Sequence, residues 1–524
     1  MKKYILPLTL LLICCCFSLK AQNKNIDVQK YIFKLHISDE NDIIKGAATI
    51  TYKNITKKDT ISFDLTSQDE TGKGMLVDSV TYNNGNANFE QVDEKLNITL
   101  PSITDSIIVY YHGIPKDGLI ISKNKYGDRT FFGDNWPNRA HNWLPSIDHP
   151  SDKAFVEFYV TAPSHYQVIA NGTLIETTNN DDNTTLHHYK STVPMPTKVM
   201  VIGAAKFAVE HLGMVDHIPL STWVYPENKK AGFYDYAQAE DILNYFTKNI
   251  APFPFSKLAN VQSTTRYGGM ENASNIFYFE NSVTGDRSSE YLLAHEIAHQ
   301  WFGDSASEND WSQLWLSEGF ATYFTDLYAE HAHGEDAFHK KLQEERQKVI
   351  AFSKQVTTPI VDTTRYDRLM ELLNPNSYQK GAWVLHMLRR EVGDKNFWRS
   401  IQVYYNMYQN SNATSKDLET VFEKVTDFDL SQFFSQWLHQ SGQPILDIDK
   451  KLKDDEVRLD IKQKQDALFL FPIDFKITYA DGSSEIKTFR MLHKREIYEI
   501  PCKKIPVEVI VDPNTWLLYE EAEK

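Results

Sequence analysis

The chain has 524 residues, more than one ordinary hydrophobic core accommodates, so its length predicts two to four domains. Hydrophobic residues make up 42% and charged residues 24%, proportions that exclude a largely disordered chain. Lysine and arginine number 55 against 70 aspartate and glutamate residues, which gives a formal net charge of −15. Because a negative surface repels phosphate groups, nucleic acid and anionic membrane surfaces are not expected partners.

Residues 1–21 have the pattern of a secretory signal peptide. Lys2 and Lys3 precede an apolar run, and cleavage is expected after Ala21. That run is too short to cross a membrane, and no later stretch approaches the ~20 apolar residues that a spanning helix needs. We therefore expect an exported protein, periplasmic or secreted, with no integral membrane segment after signal removal. A lipid anchor on an early cysteine is the alternative, with three candidates: Cys14, Cys15 and Cys16.

Beyond this signal, the hydrophobic period divides the chain into three segments. Residues 22–215 alternate at period two and contain turn dipeptides such as Asn84 followed by Gly85, which predicts an N-terminal β domain. Residues 216–441 change to helical spacing and predict a mostly helical domain. Residues 442–524 return to alternation and predict a small C-terminal β domain. The expected fold class is therefore multidomain α+β.

The helical segment contains a metal-binding pattern. His295 and His299 are four residues apart, so on a helix they differ by about 40° in azimuth and ~6 Å in height and reach one ion from one face. Glu318 lies 19 residues beyond His299 in a second helix-like run that can pack against the first. Two imidazoles, one carboxylate and an open fourth position are typical of a catalytic zinc site. Two surface histidines on an amphipathic helix are the alternative for the histidine pair, and Glu318 taken alone is more often a solvated charge on a helix.

Glu296 follows His295 directly and is displaced from it by about 100° around the helix. This offset places the carboxylate beside the ion rather than on it. A carboxylate there is suited to take a proton from an attacking water and to deliver it to a leaving nitrogen. These residues predict a zinc-dependent hydrolase and leave its substrate undetermined.

Two further motifs lie on either side of this pattern. They are Tyr267-Gly268-Gly269-Met270-Glu271-Asn272-Ala273 and Tyr378-Gln379-Lys380-Gly381. Together with the histidine motif and Glu318, they resemble the gluzincin aminopeptidase family, which includes aminopeptidase N and leukotriene A4 hydrolase. The resemblance covers most of the chain and implies a thermolysin-like catalytic domain followed by a small β-sandwich. It also implies one Zn²⁺ per chain and peptide substrates with a free N-terminus.

The resemblance implies a role for each motif residue. His295, His299 and Glu318 would bind zinc, and Glu296 would be the general base. Tyr378 would donate a hydrogen bond to the oxyanion of the tetrahedral intermediate. A phenol is suited to this role because it is a neutral donor where negative charge develops.

The resemblance also implies the substrate-binding residues. These are Gly268, Gly269, Met270, Glu271 and Asn272, with Glu271 on the α-amine of the substrate. A glycine pair lets a peptide approach the backbone closely, and a carboxylate pairs with an ammonium group. Outside this context, the glycine pair is more often a turn and the glutamate a surface charge.

The sequence departs from the family pattern at two points. Many members carry a glutamine that lines the first substrate pocket, and an ungapped count back from Leu144 and Pro145 places Trp136 there. The preference for the N-terminal side chain is therefore undetermined. The chain also ends after the small β segment, so the large helical C-terminal domain of many relatives is expected to be absent.

Three other functions are compatible with the same fold: a metalloendopeptidase, an epoxide hydrolase of the leukotriene A4 hydrolase type, and a non-catalytic binding protein. Glu271 argues against the endopeptidase, because an acid placed for a free amine obstructs an internal amide. Nothing in the sequence indicates a lipid pocket for an epoxide. Glu296 and Tyr378 together argue against a binding protein, which needs neither a base nor an oxyanion donor.

Overall fold

The computed structural model describes residues 25–83, 85–100 and 104–523. The predicted signal peptide, with its three cysteines, and Asn84 of the predicted turn lie outside these residues, so the structure does not test those predictions. Within the described ranges, no helix is both long enough and apolar enough to span a membrane.

The N-terminal segment is built from β-strands, as its alternating pattern predicts. The main sheet has the order β13-β14-β11-β1-β2-β8-β4-β5, and β15 pairs with β11. Two smaller sheets have the orders β12-β16-β10-β9 and β3-β7-β6. The strands are β1 Ile26–His36, β2 Ile44–Asn54, β3 Thr60–Asp64, β4 Gly74–Tyr82, β5 Gly85–Asn86, β6 Asn88–Val92, β7 Lys95–Thr99, β8 Ser106–Ile114, β9 Leu119–Lys123, β10 Arg129–Gly133, β11 Lys153–Pro163, β12 Gln167–Ala170, β13 Thr173–Asn179, β14 Thr184–Lys190, β15 Met195–Pro196 and β16 Ile202–Ala205.

The central segment is mostly helical and also carries a sheet of the order β17-β18-β19-β21-β20. Its strands are β17 Ala208–Val215, β18 Ile218–Val224, β19 Leu258–Ser263, β20 Gly269–Met270, β21 Asn275–Phe279, β22 Ala306–Glu308 and β23 Ser411–Ala413. Its helices are α1 Lys229–Tyr236, α2 Ala239–Asn249, α3 Glu290–His299, α4 Trp315–His333, α5 Glu335–Ser353, α6 Gly381–Val392, α7 Asp394–Tyr408, α8 Ser415–Thr426 and α9 Ser431–His439.

The position of β17 bears on the predicted domain bounds. The sequence places residues 208–215 in the N-terminal domain, whereas β17 forms a hairpin with β18, which in turn pairs with β19 of the central sheet. The periodicity of a strand does not reveal which sheet it joins. The bounds at 215 and 441 remain predictions.

The C-terminal segment consists of two sheets, as its alternating pattern predicts. Their orders are β28-β25-β24-β30 and β27-β26-β29. The strands are β24 Ile445–Lys453, β25 Glu456–Gln463, β26 Phe471–Tyr479, β27 Ser484–Met491, β28 Arg495–Pro501, β29 Pro506–Val511 and β30 Glu520–Glu521. The fold class is multidomain α+β, in agreement with the prediction.

Close helix packing in the central segment brings the motif residues together. Helix α3 packs on α4, and α4 packs on α6. At the second contact two glycines meet, because a Cβ built on Gly319 would lie 2.9 Å from the Cα of Gly381. Glu318 and Tyr378 are therefore carried by segments whose backbones are in direct contact.

Candidate active site

The first part of the site is the histidine pair on α3. The two Nε2 atoms of His295 and His299 lie 3.1 Å apart. His299 is 1% exposed, whereas the side chain of His295 retains 19% exposure. The predicted helix thus presents both imidazoles on one face, with His295 on the more open side.

Glu318 on α4 completes a compact set of donor atoms. Its Oε2 lies 3.3 Å from His295 Nε2 and 3.2 Å from His299 Nε2. In an ideal tetrahedral zinc site with bonds of about 2.0–2.1 Å, adjacent ligand atoms are roughly 3.3–3.4 Å apart. The three residues, hereafter the His-His-Glu group, therefore have the donor types and the spacing of a zinc site.

His299 is oriented by a hydrogen bond on Nδ1, the ring nitrogen that does not face Glu318. Nδ1 lies 3.2 Å from the carbonyl oxygen of Phe302, which can only accept, so Nδ1 carries the proton and Nε2 keeps its lone pair. The hydroxyl of Ser317 lies 3.0 Å from the same Nδ1. Ser317 is not among the residues predicted from the sequence, because its contact with His299 depends on how α4 packs on α3.

Glu296 lies beside the His-His-Glu group and is 5% exposed. Gly269 of β20 packs directly on it, because a Cβ there would lie 2.3 Å from Glu296 Oε1. This contact explains one of the two glycines in the upstream motif, since any side chain would displace the carboxylate. Burial raises the pKa of Glu296 well above its ordinary value. A raised pKa suits a carboxylate that must both accept and release a proton.

Glu271 is the third carboxylate of the site, after Glu318 and Glu296. One oxygen of Glu271, one oxygen of Glu296 and one ring nitrogen of His299 lie within 4.8 Å of one another. Glu271 is 5% exposed, and its Oε1 has no hydrogen-bond partner. The next residue, Asn272, is fully buried, and both polar atoms of its side chain also lack partners. Such buried, unpaired polar atoms require an explanation, which a bound polar ligand can supply.

Tyr378 lies on a turn of π-helix, Asn376–Lys380, immediately before α6. Its ring stacks on that of His295, with centroids 6.0 Å apart and planes inclined by 14°. Burial and the carboxylate of Glu318 raise the pKa of Tyr378 well above its ordinary value, so the phenol stays protonated and remains a donor. Single π-helical turns inside helices occur frequently at functional sites.

Trp136 belongs to the hydrophobic cluster that also contains Met270 of the upstream motif. Its ring meets that of Trp311 edge to face, with centroids 5.9 Å apart. Trp136 is 4% exposed, and its indole nitrogen has no hydrogen-bond partner. The position implied by the family glutamine is thus an apolar, aromatic wall next to the upstream motif.

The sequence of this chain matches two known protein domains. The Peptidase family M1 domain matches residues 234–437, and the Peptidase M1 N-terminal domain matches residues 27–199. The two regions together account for most of the chain. The chain belongs to peptidase family M1. This finding confirms the gluzincin resemblance that the motifs indicate, and the His-His-Glu group lies within the matched catalytic region of this M1 chain.

Curated relatives of this M1 chain are named as aminopeptidases. Probable aminopeptidase 2 of Sulfurisphaera tokodaii is 26% identical over 504 residues, which are 89% of this chain and 62% of the relative. Human glutamyl aminopeptidase is 27% identical over 60% of this chain and 34% of its own length. Leucyl aminopeptidase of Saccharolobus solfataricus is 24% identical over 80% of this chain and 54% of its own length. The chain therefore spans less than two thirds of each of these relatives.

A solved structure supports the fold. An M1 zinc metallopeptidase from Deinococcus radiodurans superimposes with a TM-score of 0.70 at 24% sequence identity. The match covers 80% of this chain and 96% of that chain. The likeness extends over nearly the whole of the other molecule, and the M1 architecture is thus shared.

Proposed function

We propose that this M1 chain is a zinc metalloaminopeptidase that hydrolyses the first peptide bond of substrates with a free N-terminus. The observation that carries the proposal is the buried, unpaired Oε1 of Glu271 on a carboxylate that reaches to within 4.8 Å of Glu296 and His299. The relatives named as aminopeptidases support the same activity.

The metal of the proposal is one Zn²⁺ per chain, held by the His-His-Glu group. Two neutral imidazoles and a carboxylate are the donors of a catalytic zinc site, and their spacing fits tetrahedral geometry. When bound there, zinc supplies Lewis-acid polarisation and lowers the pKa of a bound water.

Substrate binding begins at β20, which is the edge strand of the central sheet. An edge strand offers free backbone groups to an extended peptide, and the glycines of this segment allow a close approach. The substrate ammonium then pairs with Glu271. In an amino acid the ammonium nitrogen and the carbonyl carbon are only about 2.5 Å apart across Cα. The ion pair therefore selects the carbonyl of the first residue for reaction.

Two further side chains carry out the chemistry. Glu296 takes a proton from the attacking water on its carboxylate and delivers it to the leaving amide nitrogen. The hydroxyl of Tyr378 donates a hydrogen bond to the oxygen on which negative charge develops. His295 packs against the Tyr378 ring and thereby restrains the direction of the phenol.

The test compares free-amine aminoacyl anilides with their N-acetylated forms. The parent is expected to be nearly inert on the acetylated substrates. Glu271→Gln keeps the shape and removes the charge, so kcat/KM for free-amine substrates should fall. The expected loss of transition-state stabilisation, calculated from the ratio of the two kcat/KM values, is about 2–5 kcal/mol. The zinc content should not change.

Glu290→Gln is a matched control on α3. Glu290 accepts hydrogen bonds from Tyr328 and His333 at 3.1 and 2.8 Å and is not part of the proposed site. Comparable rates on blocked and free substrates would move the assignment to a metalloendopeptidase. Hydrolysis of an epoxide without peptidase activity would support the epoxide hydrolase. No turnover with zinc bound would support the non-catalytic binding protein.

The proposal includes export to the periplasm or the medium, based on the signal-peptide pattern of residues 1–21. Cell fractionation followed by N-terminal sequencing tests this point. A mature chain that begins at Gln22 is the expected result. A chain that begins at a lipid-modified cysteine would favour an anchored protein.

A further inference from the structure

Residues 271–274 follow β20 and form a buried loop that begins with Glu271, here named the amine loop. We infer that Gln300 is a positioning residue that fixes the distance between the Glu271 carboxylate and the His-His-Glu group. The inference rests on the proposed function, because it concerns how that same site measures the substrate's N-terminal amine. Gln300 is not among the predicted catalytic, metal-binding or substrate-binding residues.

The contacts of Gln300 connect both ends of the amine loop. Its Nε2 donates to the carbonyl oxygen of Glu271 at 2.7 Å and to Asp304 Oδ2 at 3.0 Å. Its Oε1 accepts from the backbone nitrogen of Ser274 at 2.8 Å. Gln300 is fully buried, and both amide hydrogens and the amide oxygen are engaged. Replacing it leaves buried polar groups unpaired.

The link between the His-His-Glu group and the amine loop is short because Gln300 and His299 are neighbours in sequence. Gln300 follows His299 directly, so one peptide unit separates a proposed metal ligand from the side chain that holds the amine loop. The Oε1 of Glu271 has no partner of its own, so nothing on that oxygen compensates for a shift of the Glu271 backbone. A change in the loop backbone therefore changes the distance from this carboxylate to the metal group.

The N-terminal β domain also holds the amine loop. The Nδ2 of Asn171 donates to the carbonyl oxygen of Ala273 at 2.6 Å, and the backbone nitrogen of Gly172 donates to Ser274 Oγ at 3.1 Å. These contacts attach the loop to another domain and do not involve α3. Gln300 is the contact that ties the loop to the residues that follow the metal-binding helix.

The experiment measures how much the amine of a ligand contributes to binding. Alanine hydroxamate and propionohydroxamate share the same zinc-chelating group and differ only in the α-amine. Calorimetric Kd values for the two ligands on the zinc-loaded protein give an amine preference for each variant. We expect Gln300→Met to reduce this preference by about 10- to 100-fold, because small misplacements of a binding group have effects of this size. Propionohydroxamate binding should stay within about threefold of the parent value.

Gln262→Met is the matched control. Gln262 is also a fully buried glutamine of the central segment, and its Oε1 accepts from Tyr225 N at 2.9 Å. Its Nε2 donates to Asn228 Oδ1 and to the carbonyl oxygen of Glu280, both at 2.9 Å. The substitution thus removes the same number of hydrogen bonds from a buried glutamine away from the amine loop. It should leave the amine preference unchanged.

A double variant tests whether Gln300 acts through Glu271. In the Glu271→Gln background the preference is already lost, so adding Gln300→Met should reduce it no further. A parent with no amine preference would contradict the proposed function itself. A preference that disappears in Glu271→Gln but persists in Gln300→Met would overturn only the present inference. Should Gln300→Met not fold, Gln300→Asn keeps the amide but is one methylene too short for both ends of the loop, and the same outcomes apply.

Discussion

At the scale of single residues, the neighbouring side chains keep Tyr378 in the state that its proposed role requires. Burial and the nearby Glu318 carboxylate raise its pKa well above the ordinary value, and the ring rests on His295. A protonated phenol held in this way is a donor with little freedom to reorient. Its contribution should therefore appear where negative charge develops, not in ground-state binding.

Tyr378→Phe keeps the ring and removes only the donor. We expect kcat to fall by about 10²–10³-fold, with KM little changed, because an oxyanion donor acts mainly in the transition state. Steady-state kinetics on an aminoacyl anilide provide the measurement. A normal kcat with a raised KM would instead mean that Tyr378 binds the ground-state substrate.

At the scale of secondary-structure elements, the contact between α4 and the start of α6 determines the relation of Glu318 to Tyr378. A Cβ on Gly319 would lie 2.9 Å from the Cα of Gly381 and 3.2 Å from the carbonyl oxygen of Ser377. Both neighbours are backbone atoms, which cannot move away as the end of a flexible side chain can. The two segments must separate if a methyl group is added.

Gly319→Ala is therefore expected to lower the free energy of unfolding by about 1–3 kcal/mol, the usual cost of overpacking. Turnover should fall as well, because Glu318 and Tyr378 move apart. Denaturant unfolding and anilide hydrolysis provide the two measurements. Gly85→Ala is the control, since a Cβ there meets Tyr82 at an ordinary 3.5 Å. Unchanged stability and turnover in Gly319→Ala would show that the contact is not a constraint.

Secondary-structure elements also determine how much of the site could be predicted from the sequence. The spacing of His295 and His299 predicts a shared helical face, and the observed α3 provides it, because helical geometry is local. The π-helical turn that carries Tyr378 was not predicted, since no residue period distinguishes one π turn from an α-helix. The contacts of Ser317 and Gln300 were missed for a related reason: they depend on how segments pack, which a local pattern does not encode.

At the scale of the whole molecule, His386 joins the helical segment to the C-terminal segment, at the loop between β29 and β30. The imidazole on α6 donates from Nε2 to the carbonyl oxygen of Thr515 at 3.0 Å and accepts at Nδ1 from the hydroxyl of Tyr323 at 3.1 Å. Its ring stacks on Trp516 with centroids 4.6 Å apart. Burial lowers the pKa of His386 to about 3, and the charges of Arg389, His339 and Arg346 act in the same direction.

This pKa predicts a loss of stability in acid. The unfolded chain binds a proton at this residue near pH 6.5 and the folded chain only near pH 3, so between these values the unfolded state holds more protons. The stabilisation is complete above about pH 6.5 and falls as the pH drops, by at most about 1.4 kcal/mol per pH unit for one group. Unfolding free energies of the parent and of His386→Phe, measured from pH 7 to pH 4, test this.

The His386→Phe variant should be less stable at pH 7 and should lose less stability on acidification. Tyr323→Phe is the control, because it removes one hydrogen bond and keeps the imidazole. Identical acid dependence in the parent and in His386→Phe would mean that another group is responsible.

The order of domains was predictable at this scale, but their junctions were not. Alternation and helical spacing identify β and helical segments because each pattern repeats within its own element. Junction residues such as His386 and the buried pair of Lys198 with Glu308, 2.6 Å apart, belong to no repeat. Their role follows only from the packing of one segment on another. The placement of β17 in the central sheet could not be predicted for the same reason.

We propose that the His-His-Glu group holds zinc and that Glu296 transfers protons without binding the metal. The most direct test is to measure zinc content and anilide turnover on the same preparations of the parent and of Glu296→Gln. One zinc per chain is expected in both proteins, with turnover in the variant lower by several orders of magnitude. A Glu296→Gln protein that loses its zinc, yet is active once the metal is restored, would contradict this proposal.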